Sequence, residues 1–168
     1  MSTRTIPIIN WSAVPDTTGN VFVEQFDVKA TNDQWKPLVF IFNDTATKIG
    51  FYGTFRVPDD YVGTAAILIH WTSTATTNNV VWQIDYRTVG GDDTTSLDQA
   101  GTEETPSVTD AAPTAALRRL TPSISPTSGN FAAGETVEFF FNRRGDSGSD
   151  TMAAAAILFG LFFQYSDV

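Results

Sequence analysis

Residues 80–88 read VVWQIDYRT, and this stretch decides the fold class. Trp82, Ile84 and Tyr86 fall on one face of an extended chain, and the residues between them are polar. A period of two predicts a β-strand with one buried face and one wet face. Residues 49–57, IGFYGTFRV, alternate in the same way. The two stretches therefore indicate antiparallel sheet structure with a core on one side.

Similar runs recur along the chain between turn residues, a pattern typical of a sandwich or barrel. We predict about eight strands, at Val21–Val28, Leu38–Phe42, Ile49–Val57, Ala65–Thr72, Val80–Thr88, Ala115–Ile124, Thr136–Arg143 and Ala155–Tyr165. Helical spacing with caps is not evident. The prediction is an all-β fold, a jelly-roll-type antiparallel sandwich. Residues 21–168 form its single domain, and residues 1–20 form an extended N-terminal arm that includes a short strand near Thr5–Ile9.

Composition supports a folded domain and disfavours two classes of partner. Hydrophobic residues make up 42 % of the 168 residues, enough to form a core. The formal net charge of −9 predicts no nucleic-acid partner and no anionic membrane surface. The longest apolar run, Ala153–Phe163, is shorter than the roughly 20 residues that span a bilayer. The first residues lack the apolar core of a secretory signal, which predicts a protein made in the cytoplasm.

Catalytic residue types are scarce. The chain has no cysteine, and its one histidine, His70, falls within a predicted apolar strand. A nucleophile–histidine arrangement needs an accessible base, so we predict no enzyme and no cofactor. A glycosidase built on two carboxylates stays open, although the acidic residues are expected in loops. The Asp92–Asp93 pair and the 146–150 loop offer oxygens for calcium, but solvated turns are the favoured interpretation.

Several aromatic residues are candidates for contact with a ligand or a partner. Trp35 lies in a turn-like stretch, and Trp11 lies in the predicted arm. Tyr52 is also a candidate, whereas alternation puts Trp71 with the buried set. Phe140 points away from its apolar neighbours, and the last strand is apolar on both faces. Because sandwich outer faces are normally solvated, this excess predicts subunit contacts.

Four segments carry a resemblance to a known family. They are FRVPDDYVG at 55–63, ILI at 67–69, VWQIDY at 81–86 and AGETVEF at 133–139. In this order they resemble the jelly-roll capsid decoration (cement) proteins of tailed bacteriophages. The resemblance implies a homotrimer on the capsid surface of the virion, which binds the major capsid protein and stabilises contacts between its subunits. The alternative is a carbohydrate- or receptor-binding jelly-roll module, with exposed aromatic rings stacked on sugar.

Overall fold

The computed structural model describes residues 1–9, 14–15, 19–25, 36–91, 96–98 and 101–168. The strands assigned within these ranges are β1 Thr3–Pro7, β2 Val14–Pro15, β3 Val21–Gln25, β4 Leu38–Phe42, β5 Lys48–Arg56, β6 Tyr61–Thr72, β7 Asn79–Val89, β8 Ser107–Ala111, β9 Ser123–Ile124, β10 Thr136–Arg144 and β11 Ala156–Asp167. A short 3-10 turn lies at Ser128–Asn130. None of the described segments is a helix of the length and hydropathy needed to cross a membrane.

The strands form two antiparallel sheets. The six-stranded sheet has the order β3-β4-β11-β6-β9, and β1 also pairs with β11. The five-stranded sheet has the order β2-β5-β10-β7-β8. The sheets face one another as a sandwich, so the predicted all-β, jelly-roll-type fold is confirmed.

Aromatic side chains from both sheets fill the core. Trp82 of β7 stacks on Phe141 of β10, with ring centroids 5.3 Å apart. Phe42 of β4, in the opposite sheet, meets Trp82 edge-on at 5.1 Å. All three side chains are fully buried. Such edge-to-face and stacked pairs stabilise a core beyond the area they bury, so this cluster holds the two sheets in a fixed arrangement.

Two short strands lie within residues 1–20, the predicted N-terminal arm. Within residues 1–20, β1 pairs with β11, and β2 pairs with β5. Ile8 is 4 % exposed, and its N–H donates to the Leu161 carbonyl at 2.9 Å. Burial of this apolar residue and satisfaction of its backbone keep the described parts of residues 1–20 in contact with the sandwich. The division of the chain into an arm and a domain stays a prediction.

One predicted strand is largely wrong, and one strand was missed. Of the predicted Ala115–Ile124 strand, only β9 at its end forms a strand, and Leu120 makes an isolated bridge to Trp71. Leu117 has a φ of 64°, which interrupts an extended backbone. In contrast, β8 lies outside all of the predicted strands, and it pairs with β7. Its sequence, SVTDA, holds one large apolar residue and carries little signal of a strand.

The two ends of the chain are joined through Asp167. Its carboxylate accepts hydrogen bonds from Ser2 N–H at 2.6 Å and from Arg4 Nε at 2.6 Å. Hydrogen bonds from the Ser2 backbone and hydroxyl, followed by the Arg4 guanidinium, lower the pKa of Asp167 from 3.8 to about 2. The ionised carboxylate therefore favours the folded state.

We expect a defined acid dependence from this contact. The stabilisation by Asp167 is complete above its unfolded-state pKa of 3.8 and disappears as the pH falls toward about 2. An Asp167→Asn variant should therefore be less stable than wild type at neutral pH, and the difference should vanish in acid. Urea unfolding across this pH range measures it, with exposed Asp98→Asn as the control. A difference that does not change with pH would contradict the assignment.

Candidate functional site

The outer face of the five-stranded sheet carries a continuous set of polar and aromatic side chains. Alternation turns every second residue of β5, β10 and β7 away from the core. Strand register then aligns these residues in rows across the three strands. The rows are Gly50–Asn142–Gln83, Tyr52–Phe140–Asp85 and Thr54–Glu138–Arg87.

Two aromatic rings lie side by side at the centre of this face. The Tyr52 and Phe140 rings are 4.5 Å apart between centroids and are inclined by 31°. Tyr52 is 56 % exposed, whereas Phe140 is half-buried. Gly50 allows this arrangement, because a Cβ there would lie 2.8 Å from the Phe140 Cζ atom. The Lys48 ammonium lies 5.7 Å from the centroid of the Phe140 ring, so Tyr52 is the more open platform.

Charged side chains flank the rings as ion pairs. Lys48 Nζ binds Asp85 Oδ2, and the Gln83 amide donates to the other oxygen of the same carboxylate. Arg87 Nε donates to Glu138 Oε2 at 2.7 Å. The Arg87–Glu138 pair joins neighbouring strands, where opposite charges stabilise a sheet modestly, whereas the Lys48–Asp85 pair reaches across β10 from β5 to β7. They also fix the positions of several hydrogen-bonding groups around the aromatic pair.

The aromatic pair, Asp85 and the Arg87–Glu138 pair line a groove of about 630 Å³. Its floor is formed by β5, β10 and β7, and Gly101 and Thr102 form part of one wall. Arg87 Nη2 donates to the Leu97 carbonyl at 2.8 Å, which ties this wall to the floor. The volume falls within the range of small-molecule sites, about 300–1,000 Å³, that combine apolar surfaces with a few oriented polar groups.

A partly buried hydrogen-bond network around Glu104 holds the base of this wall. Glu104 Oε2 accepts from the Tyr86 hydroxyl at 2.6 Å and from the Thr127 N–H at 2.8 Å. Asn130 Nδ2 donates to the Tyr86 hydroxyl at 3.1 Å. Burial acts to raise the pKa of Glu104, but the bonds from Tyr86 and Thr127 outweigh it and lower that pKa. Burial, followed by the bond to Glu104, raises the pKa of Tyr86.

Replacing Glu104 by glutamine tests this anchoring. Loss of the charge-assisted bonds is expected to lower the free energy of unfolding by about 1–2 kcal/mol. Amide hydrogen exchange in residues 101–106 should become faster, because the wall is then less firmly attached. The neighbouring Glu103→Gln change is the control, since Glu103 is exposed and its carboxylate accepts hydrogen bonds from the backbone and hydroxyl of Thr88. Unchanged exchange in Glu104→Gln would contradict the anchoring role.

The structure brings together only part of the predicted site. Phe140 lies at the centre of the groove, and Tyr52 lies beside it. Trp11 and Trp35 fall outside the described residues, so their contacts stay predictions. Trp71 is fully buried, as alternation predicts.

Sequence reasoning missed the carboxylates of the groove. Acidic residues were expected in loops, whereas Asp85 and Glu138 lie within β7 and β10 and line the groove. The signal was present in the alternation, since a polar residue between two large apolar ones in a strand must face outward. What the sequence does not give is the register that sets Asp85 beside Phe140.

Two of the other candidates have structural explanations, and Asp92 and Asp93 lie outside the described residues. The His70 ring packs against Phe162 with centroids 4.6 Å apart, and burial, followed by the charge of Arg119, lowers the pKa of His70. In the 146–150 loop, Asp146 binds Arg144 at 2.7 Å, and Asp150 binds Arg143 at 2.7 Å. The described residues contain no group of three or more acidic, histidine or cysteine side chains that could hold a metal ion.

Comparison with known proteins places the fold. No family model matches the chain, and no curated protein matches it significantly. A family 35 carbohydrate-binding module from Clostridium thermocellum superposes with a TM-score of 0.52 at 14 % identity, covering 97 % of this chain and 98 % of that one. A family 11 module from a cellulosomal cellulase of the same organism gives 0.50 at 9 % identity, covering 98 % and 95 %.

A third similar structure is an arabinose-bound α-L-arabinofuranosidase, with a TM-score of 0.52 at 10 % identity. The match covers 95 % of this chain, which spans only 24 % of that enzyme. The likeness is one of fold. At these identities the superpositions support the jelly-roll sandwich, and the groove must be interpreted from its own residues.

Proposed function

We propose that this protein is a carbohydrate-binding module that holds a glycan in the groove on the outer face of the five-stranded sheet. The observation that carries the proposal is the exposed Tyr52 ring, set beside Phe140 and flanked by ion-paired side chains. An exposed aromatic ring on a sheet face is costly to leave in water, and a ligand that covers it recovers that cost.

The chemistry of the groove matches that of a sugar ring. One face of a pyranose presents C–H groups, which pack on the flat face of an aromatic ring such as Tyr52. Its hydroxyl groups both donate and accept hydrogen bonds, and the carboxylates and guanidinium in the groove supply partners for both roles. The Tyr52–Phe140–Asp85 row crosses three strands, a distance of about 10 Å at the usual strand spacing. This length accommodates more than one sugar ring.

The same residues favour binding over hydrolysis. A glycosidase of the two-carboxylate type needs one carboxyl group protonated so that it can act as the acid. Asp85 is paired with Lys48, and Glu138 is paired with Arg87. Ion pairs of this kind, closed within the protein, are typical of carboxylates that hold a surface in place. We therefore propose a module that binds without cleaving.

Two of the similar structures add support to this proposal, because they are described as carbohydrate-binding modules. The two whole-chain superpositions reported above are with carbohydrate-binding modules, from families 35 and 11. Because such folds host many functions, the groove residues carry the argument and the neighbours add to it.

A panel of polysaccharides tests the proposal. Purified protein is incubated with insoluble glycans and sedimented, and soluble oligosaccharides are titrated by calorimetry. We expect binding of at least one polysaccharide class, with chemical-shift changes in residues of β5, β7 and β10. Binding that leaves these strands unperturbed, or an absence of binding across the panel, would overturn the proposed site.

Capsid decoration is the second candidate, proposed from the resemblance and from one surface. Phe22, Val23 and Leu38 are each 37–38 % exposed along the β3–β4 edge of the six-stranded sheet. Exposed apolar residues on an edge strand favour association with another protein. The interface predicted at the second face of β11 is partly covered within one chain, because Leu117 packs on the cluster that contains Ile157.

Oligomeric state and capsid binding separate the two candidates. Capsid decoration predicts a trimer in light scattering and co-sedimentation with preformed phage heads that contain the major capsid protein. A stable monomer that does not sediment with heads would remove this candidate and leave the glycan proposal intact.

A further inference from the structure

Three cations on the groove face, Lys48 on β5, Arg87 on β7 and Arg144 on β10, are each paired with a carboxylate. Lys48 binds Asp85, Arg87 binds Glu138 at 2.7 Å, and Arg144 binds Asp146 at 2.7 Å. In all three pairs both side chains are at most 41 % exposed. The positive charge of these three cations is therefore already neutralised by the protein before any ligand arrives.

An acidic glycan would meet an unfavourable environment here. A uronate or sulfate group that approaches Arg87 has to compete with Glu138 for it, and one that approaches Lys48 has to compete with Asp85. The displaced carboxylate would then lie beside a second negative group in the groove, which costs binding free energy. The formal net charge of −9 adds a longer-range repulsion at low salt.

Neutral sugars meet the opposite situation. An ionised carboxylate offers about four acceptor sites, more than a single ion pair uses, so it can also accept a proton from a sugar hydroxyl. Such bonds are charge-assisted and stronger than those between neutral groups. Resting on the proposed function, we propose that the groove selects neutral glycans and rejects those that carry carboxylate or sulfate groups.

Matched oligosaccharides test the proposal. Neutral oligomers of hexoses or pentoses are titrated beside oligomers of the same length that carry uronate groups, with Tyr52→Ala to report binding at the groove. We expect the uronate oligomers to bind at least about tenfold more weakly. The affinity for neutral oligomers should stay nearly constant from about 0.01 M to about 1 M salt, since no net charge is exchanged.

A Glu138→Gln variant provides a second test, in which the affinity for uronate oligomers should increase. It removes the carboxylate that neutralises Arg87, so the affinity for uronate oligomers should rise relative to that for neutral ones. Glu24→Gln is the matched control: it changes the net charge equally, from an exposed position on β3 of the other sheet. Only the groove variant should shift the ratio of the two affinities.

The outcomes distinguish this inference from the function on which it rests. Tight binding of uronate oligomers that is lost in Tyr52→Ala would overturn the selectivity and leave the glycan-binding function standing. If Glu138→Gln leaves the ratio of the two affinities unchanged, as Glu24→Gln should, the selectivity would also be overturned. The Arg87–Glu138 ion pair would then have no effect on which oligomers bind. Failure of both oligomer classes to bind would overturn the proposed function as well.

Discussion

Replacing Asp150 by asparagine is expected to lower the free energy of unfolding by about 3 kcal/mol. Asp150 and Arg143 form a bidentate ion pair, with Arg143 Nη2 2.7 Å from Oδ1 and Nε 3.0 Å from Oδ2. Their side chains are 1 % and 0 % exposed. Removing the negative partner leaves a guanidinium buried beside the core without full compensation, and that desolvation cost dominates the effect.

Arg143 also fixes the loop that follows β10. Its guanidinium donates to the Ala154 carbonyl at 2.7 Å and to the Met152 carbonyl, and it lies 3.3 Å from Asp44. Asp150 in turn accepts from the Val81 N–H at 3.0 Å. The pair thus connects β10, β7 and the segment that leads into β11. We expect the Asp150→Asn variant to expose this segment to proteolysis as well as to unfold at lower urea concentration.

The matched control is Asp146→Asn, four residues earlier. Asp146 forms an ion pair with Arg144 at a similar distance, but the two side chains are 41 % and 30 % exposed. An exposed pair contributes at most about 1 kcal/mol, so this variant should unfold close to wild type. Equal losses in the two variants would contradict the view that burial sets the energetic weight of the Arg143–Asp150 pair.

Replacing Tyr52 by alanine is expected to weaken glycan binding by about 2 kcal/mol, or roughly 30-fold in Kd. The ring is 56 % exposed, so its removal creates no core cavity and the fold should remain stable. What is lost is the flat apolar surface on which a sugar ring would pack. Calorimetric titration with the glycan identified in the polysaccharide panel measures the change.

Two further variants make the Tyr52 result specific. Tyr52→Phe retains the ring and should keep most of the affinity, which separates stacking from a hydrogen bond by the hydroxyl. Phe22→Ala removes an aromatic ring that is 37 % exposed on the other sheet, and it should bind normally. Equal weakening in Phe22→Ala and Tyr52→Ala would place the glycan outside the groove.

The strands rich in large apolar residues were predictable from local sequence. The prediction for Leu38–Phe42 matches β4 at both ends, and the prediction for Thr136–Arg143 differs from β10 by one residue. In both, burial of large apolar side chains is the dominant contribution, on both faces of β4 and mainly on one face of β10. β8 has no such driving force of its own, and it is extended because its backbone pairs with β7. That pairing is a long-range property.

The types of residue in the site could be predicted from the sequence, but their arrangement could not. Phe140 was singled out because it faces away from the buried set, and the structure confirms that orientation. From the sequence alone, an outward aromatic ring such as Phe140 indicates a subunit contact, because its neighbours on the adjacent strands are not known. In the structure, Tyr52 and Lys48 lie against Phe140 from β5, through pairing that depends on strand order. The trimer stays a prediction.

The alternation of residues 80–88 is sufficient to predict a half-buried strand, and the repetition of similar runs along the chain predicts an all-β sandwich. Period-two burial is a local property, because successive side chains of an extended chain point to opposite sides. The strand order that makes β5, β10 and β7 neighbours is seen only in the folded protein. Their register then places Tyr52, Phe140 and Asp85 in one groove. Register and strand order depend on contacts between residues far apart in the chain, which no local pattern encodes.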